Sequence, residues 1–310
     1  MAAELNDAVT RHYEDPFRWF DQGVRSERLE PVVRPVHPEY YTREGPWADA
    51  ERARIFTVMR IDCLLDFWRA ESPRRDALAG VIGVEPRDAE SWRAFLQAVF
   101  DLAAVRGAVG IKQLQAYHRD LGFAARADAD IAWNRGGLSP DQVRTFQDWV
   151  VLECCRLAEE RGWPHQVHVG THNLGASSPL PLADLAQRYP NMKIVLLHCW
   201  PFLDEAGWLA KHCANIYIDA CWQTILNPSF LKRSLDAWLH FVPMNKMMFS
   251  QDATSMEMAA GSADILRKTI EEALDHSADQ FGTSGEDLDR MARALLHGNG
   301  VGLYGVDKRP

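Results

Sequence analysis

Six short apolar runs, spaced by helix-length segments, constrain this chain more than any other feature. They fall at residues 55–62, 109–114, 165–170, 194–198, 216–219 and 246–252. A parallel strand buried on both faces reads as a continuous apolar run. Between the runs lie stretches with helical spacing. Residues 88–105 place Trp92, Phe95, Leu96, Val99 and Leu102 on one face, and residues 139–157 open with a capping Ser139 and Pro140 at the first helical position. Further helices are expected near 180–189, 205–212, 228–241, 259–278 and 285–296. Strands alternating with helices make βαβ units and a parallel sheet.

Length and composition agree. The 310 residues, 47% hydrophobic and 25% charged, suffice for one α/β barrel, which typically takes about 250 residues. The expected fold is therefore a TIM-like (β/α) barrel over residues 51–310. Six strands are short of the eight that close such a ring, and both missing strands belong at the front. Residues 29–36 are a poor central strand because of Pro31 and Pro35, so the barrel is expected to be incomplete or irregular at its N-terminal strands. Residues 1–50 read as a helical arm with Tyr13, Phe17, Trp19 and Phe20, then a proline-rich loop. Exposed aromatics there suit self-association or a partner chain.

Several function classes are disfavoured. A net charge of −9 argues against nucleic acid as a main partner. No run of 18 apolar residues occurs, and the opening Met-Ala-Ala-Glu lacks the order of a signal peptide, so a cytoplasmic protein without membrane association is expected. The six cysteines show no Cys-x-x-Cys pair and read as free thiols, Cys154 and Cys155 as buried packing. No dinucleotide or phosphate loop follows a strand, and the glycines from Gly298 to Gly305 read as turns closing the barrel.

Three of the runs end on His168, His198 and Asp252. Barrel chemistry gathers where strands finish, so two imidazoles and a carboxylate are expected to converge. Three such ligands and one open position suit a catalytic divalent metal.

The chain also resembles the amidohydrolase superfamily, in its amidohydrolase-2 type branch, which includes the domain fused to glutamine synthetase in nodulin-like proteins. The resemblance rests on Arg60-Ile61-Asp62, Gly110-Ile111-Lys112, Val167-His168-Val169-Gly170-Thr171, Leu196-Leu197-His198, Asn215-Ile216-Tyr217-Ile218-Asp219, the stretch 242–252 and the closing 298–305, in the family's order. It implies a distorted (β/α)8 barrel holding one or two divalent metals, with Lys112 on the fourth strand, His168 on the fifth, His198 on the sixth and Asp252 on the eighth. The family's first-strand His-x-His has no counterpart here. His37, His118 or His172 would fill in, His172 being best placed.

The implied activity is metal-dependent hydrolysis of an amide or related C–N bond in a small molecule, with zinc first and manganese or iron as alternatives. Asp252 would carry protons. Lys112 would be a metal-bridging carbamate or a cation facing substrate, or else a lysine snorkelling to the barrel's end. Arg60, Asp62, Tyr117, Arg119, His172 and Trp222 are substrate-binding candidates, Arg60 with Asp62 alternatively a structural ion pair. The competing readings are a barrel that has lost catalysis and serves as scaffold or partner subunit, and a decarboxylase or isomerase on the same site.

Overall fold

The computed structural model describes residues 2–306. Seven parallel strands form one sheet in chain order: β1 (Val33–Val36), β2 (Phe56–Arg60), β3 (Ala108–Gln113), β4 (His165–Val169), β5 (Ile194–His198), β6 (Ile216–Asp219) and β7 (Met247–Met248). Helices cross between them, and the sheet curls into an open barrel. Pro16, Pro46, Pro73, Pro140 and Pro228 each sit in the first turn of a helix, where a missing N–H costs nothing. No helix of the described residues is long and apolar enough to cross a membrane.

The period-2 alternation of a strand sorts each run into two layers. Met59, Ile61, Ile111, Val167, Val169, Ile194, Leu196, Ile216, Ile218 and Met247 face the helices and share one core with Phe95, Phe146 and Trp238. Val195, Leu197, Cys221 and Met248 face the barrel interior and pack with Leu303 instead. Towards the strand ends, the residues that alternate with the outer set on β2, β3 and β4 include Arg60, Lys112, Gln166 and His168. An interior this polar near the strand ends marks where the sheet has given up packing for chemistry.

The front of the barrel departs from expectation in one respect. Residues 29–36 were a poor central strand, yet Val33–Val36 pairs in parallel with β2. Its place at the sheet's edge explains this, because Pro35 needs no ladder partner on its outer side. With Lys112 on β3 matched to a fourth strand, β1 and β2 stand second and third. Among the described residues the strand without a counterpart is thus the first alone, and its place lies between β7 and β1, which do not pair there.

The arm braces this seam from outside. Its helix Pro16–Glu27 begins at a cap in which the Asp15 carboxylate accepts from the Arg18 N–H. Asp21 pairs with Arg54, just before β2, at 2.7 Å. On the other side Tyr13 and Trp19 donate to Glu257, and Arg267 donates to the Glu27 carbonyl. Both acceptor and donor belong to the helix Met256–Phe281 that follows β7.

The base is closed by residues 294–305. Residues 298–305, expected as turns, instead continue a π-helical turn, Ala294–Gly298, into the helix Asn299–Tyr304. Asn299 donates to the Met244 and Met247 carbonyls at 2.8 Å each, capping polar backbone beside β7. Tyr304 accepts from the Gln166 side chain at 2.7 Å inside the barrel.

Candidate metal centre

His168 reaches the interior by ordinary alternation, two residues after Gln166 on β4. His198 does not. Its parity with Ile194 and Leu196 would send it out among the helices, but its backbone is left-handed, with φ 67°, and that turn swings the ring inward. Thr171, Cys199, Trp222 and Asp252 share positive φ at the same rim. Non-glycine residues held there cost about 1–3 kcal/mol each and cluster where function requires them.

The result is a tight group. His198 Nε2 lies 3.0 Å from His168 Nδ1 and 3.7 Å from Asp252 Oδ2. His198 Nδ1 faces the Cys221 carbonyl at 3.1 Å; donating its proton there leaves Nε2 with a free lone pair, the arrangement a metal-bound imidazole needs. His168 Nε2 lies 2.7 Å from the Thr171 hydroxyl, which is 2.8 Å from His172 Nδ1. Gln223 donates to the His198 carbonyl and fixes the strand end. The three residues expected to converge do so.

Burial sets the charge state. His168 is 2% exposed and His198 1%. Loss of hydration, then the neighbouring imidazole and the Lys112 ammonium, lower the pKa of His168 to about 2. Loss of hydration and Lys112 lower that of His198 to about 3. Both rings are neutral at pH 7, as ligation requires. Asp252, with a side chain 37% exposed, is the open face of the group. It does not cap the next helix, whose cap is Ser255.

The donor set fits a divalent cation. His198, Cys221 and Asp252 offer ligand atoms all within 4.8 Å of one another, with the His168 ring adjoining. Neutral imidazole, carboxylate and sulfur together suit a borderline ion such as zinc.

The remaining predicted residues divide. Lys112 is 6% exposed on β3, beside Arg60 and Gln166 in register, and among the described residues no carboxylate pairs with it. Tyr117 stands over the group, its ring 4.7 Å from those of both His168 and His172; burial raises its pKa. Trp222 lies 5.6 Å from the His198 ring and stacks at 6.2 Å on His172. Arg60 and Asp62 form a bidentate pair at 2.6 and 3.1 Å, so the structural reading of these two is realised. Arg119 is a correction. Its guanidinium pairs with buried Asp148 at 2.7 Å, donates to the Gly122 carbonyl and lies over Phe123, which commits it to the helix Pro140–Glu160 and leaves it nothing for substrate. His37 is held by Arg74 at 3.2 Å, and the His118 ring lies 6.4 Å from that of Tyr117.

Sequence reasoning missed two contributors. Asp219, buried at the end of β6, accepts from the Ser250 N–H at 2.9 Å and its hydroxyl at 2.8 Å, holding the turn that presents Asp252. Cys221 was read only as one free thiol among six. The signal for both was parity: residues 217, 219 and 221 alternate with the outward Ile216, Ile218 and Ala220.

The loops fit closely. A Cβ on Gly170 (φ 73°) would lie 1.8 Å from the Trp200 carbonyl oxygen, so only glycine lets the loop after β4 pass the loop after β5. Thr171 N–H donates to that same oxygen at 2.8 Å.

Fold and site together define a parallel (β/α) barrel with a metal-ligand group at its strand ends. Residues 8–306 match the amidohydrolase family model Amidohydro_2, and the chain belongs to that family. It is 28% identical over 354 aligned residues to protein fluG of Emericella nidulans, an alignment covering all of this chain and 39% of that protein. The chain thus spans about two-fifths of the relative's length. Solved structures share the fold. A protein described as a metal-dependent hydrolase from Lactobacillus casei superposes with TM-score 0.69 at 21% identity, covering 88% of this chain and 73% of the other. Uronate isomerase from Thermotoga maritima gives 0.74 at 14%, covering 91% and 69%. Glucuronate isomerase from Caulobacter crescentus gives 0.74 at 17%, covering 93% and 66%.

Proposed function

We propose that this chain is a metal-dependent hydrolase that cleaves an amide or related C–N bond of a small molecule. The observation that carries the reading is the meeting of His168, His198 and Asp252 from three separate strand ends, with His198 Nε2 within 3.0 and 3.7 Å of the other two. Those residues would hold a divalent cation, zinc first. When bound, such an ion lowers the pKa of water and polarises a carbonyl oxygen.

The chain's own groups account for the rest. Asp252 is half-open to solvent and adjoins the imidazoles, so it can take a proton from the attacking water and return it to the leaving nitrogen. The Lys112 charge, buried beneath the group, favours negative charge developing on substrate. Tyr117, His172 and Trp222 wall the mouth and would orient the substrate. Asp219, through Ser250, positions Asp252.

The reading is tested by stripping the protein of metal, reloading it with zinc and assaying a panel of amides, with His198→Ala and Asp252→Asn alongside. Zinc-dependent turnover that both substitutions abolish is the expected result. Zinc bound without turnover by any amide, together with interconversion of uronates, would replace the hydrolase by an isomerase, a reading that two fold neighbours favour. Failure to bind any divalent cation would leave the barrel a scaffold.

A further inference from the structure

The cation reading leaves a shortage of donors at the front of the barrel. Among the described residues no strand stands where a His-x-His would be carried, and His37, which follows β1, is engaged by Arg74. A fourth protein group is present on the opposite arc. Cys221 follows β6, 2% exposed, on the inward parity of Tyr217 and Asp219. Its Sγ is 3.3 Å from His198 Nδ1, and it belongs with His198 and Asp252 to a set of ligand atoms lying mutually within 4.8 Å. Donors around tetrahedral zinc stand about 3.5 Å apart, given Zn–S near 2.3 Å and Zn–N near 2.0 Å. The thiol now lies on the Nδ1 side of the ring, so a turn of the Cys221 side chain towards Nε2, which Asp252 also faces, brings the three donors to that spacing.

The neighbouring thiol does not compete. Cys199 points its Sγ at the Leu196 carbonyl, 3.5 Å away, and packs among the helices. Cys63 faces the Arg60 carbonyl, and Cys155 faces His165 on the outer side of β4.

Resting on the cation-binding reading above, we propose that Cys221 is a thiolate donor to the centre, so that His198, Cys221 and Asp252 hold the ion with His168 beside them. Binding releases the thiol proton to water. Sulfur changes what the site accepts. Oxygen and nitrogen donors alone take manganese or magnesium readily, whereas a thiolate selects zinc, cobalt and cadmium.

The experiment uses the whole chain, reduced and free of metal, titrated with cobalt(II), zinc and manganese. The wild type is expected to show a near-ultraviolet thiolate-to-cobalt charge-transfer band and to bind zinc at least about 100-fold more tightly than manganese. Cys221→Ser should lose the band and weaken zinc binding at least about tenfold while leaving manganese binding unchanged. Cobalt bound without the band, or a band that persists in Cys221→Ser, overturns the thiolate and leaves the cation site standing. No cobalt bound at all overturns both. Should Cys221→Ser fail to fold, X-ray absorption on zinc-loaded wild type decides: one sulfur near 2.3 Å supports the assignment, and a shell of nitrogen and oxygen alone defeats it.

Discussion

The base of the barrel is filled by Leu303 and Tyr304 against Val195, Leu197 and Met248, whereas the rim a few residues further along the same strands carries His168, His198, Cys221 and Asp252. At the base the buried Tyr304 hydroxyl has its partner, Gln166. At the rim, residues 171, 198, 199, 222 and 252 all adopt left-handed conformations and two imidazoles are stripped of water. Parallel strands let stability and chemistry be assigned to opposite ends of the barrel, and here the two layers touch where Cys221 packs in one cluster with Leu303. The comparison teaches that the rim's strain is tolerable only because the base and the helix layer supply the packing.

If the separation is real, acid should attack the buried imidazoles before it disturbs anything at the base. At the rim, His168 and His198 have folded-state pKa values lowered to about 2 and 3. The unfolded chain takes up their protons below about pH 6.5 and the native one does not, so stability is full above that pH and falls on acidification towards pH 3. In the cation-free protein each should cost about 1.4 kcal/mol per pH unit over that window. Urea midpoints measured from pH 7 to 4.5 check this, and a flat profile would break the comparison. Next in size, Asp252→Asn should lower turnover by about 10²–10⁴-fold with little change in melting temperature. A loss of stability matching the loss of activity would mean that Asp252 belongs to the frame.

Gly170→Ala sharpens the contrast from the loops. The added methyl collides with the Trp200 carbonyl at a positive φ, so about 3 kcal/mol of stability should go, together with activity, because both loops shape the rim. Thermal unfolding at the wild-type midpoint would refute it. Smallest is Tyr304→Phe. Removing the hydroxyl should cost about 1 kcal/mol and leave turnover intact, and a kinetic defect there would show that base and rim are coupled.

Much of this architecture is legible in the residues. Continuous apolar runs locate β2 to β7, since burial on both faces leaves no other pattern, and their last residues name His168, His198 and Asp252. Residues 29–36 read only as an irregular substitute for a strand, because Pro31 and Pro35 make that run a poor central one, and only the tertiary fold makes Val33–Val36 an edge. Cys221 and Asp219 lie just where alternation would put them, but sequence alone does not say which parity faces in. His198 carries the opposite lesson: its parity is wrong, and a left-handed turn corrects it. Arg119 looked available at a strand end because its partner Asp148 lies 29 residues on, in a helix whose packing no local pattern reveals.

A closed ring of strands shares load around its whole circumference, but a ring cut once behaves like a split collar, whose jaws spread unless a clip spans them. Here the cut lies between β7 and β1, and the clip is the helix Pro16–Glu27, pinned through Asp21 to Arg54 on one jaw and by Glu257 and Arg267 on the other. The grip of that one helix therefore sets how wide the collar can open, and with it how firmly Asp252, next to the cut, is held towards His198 across the bore.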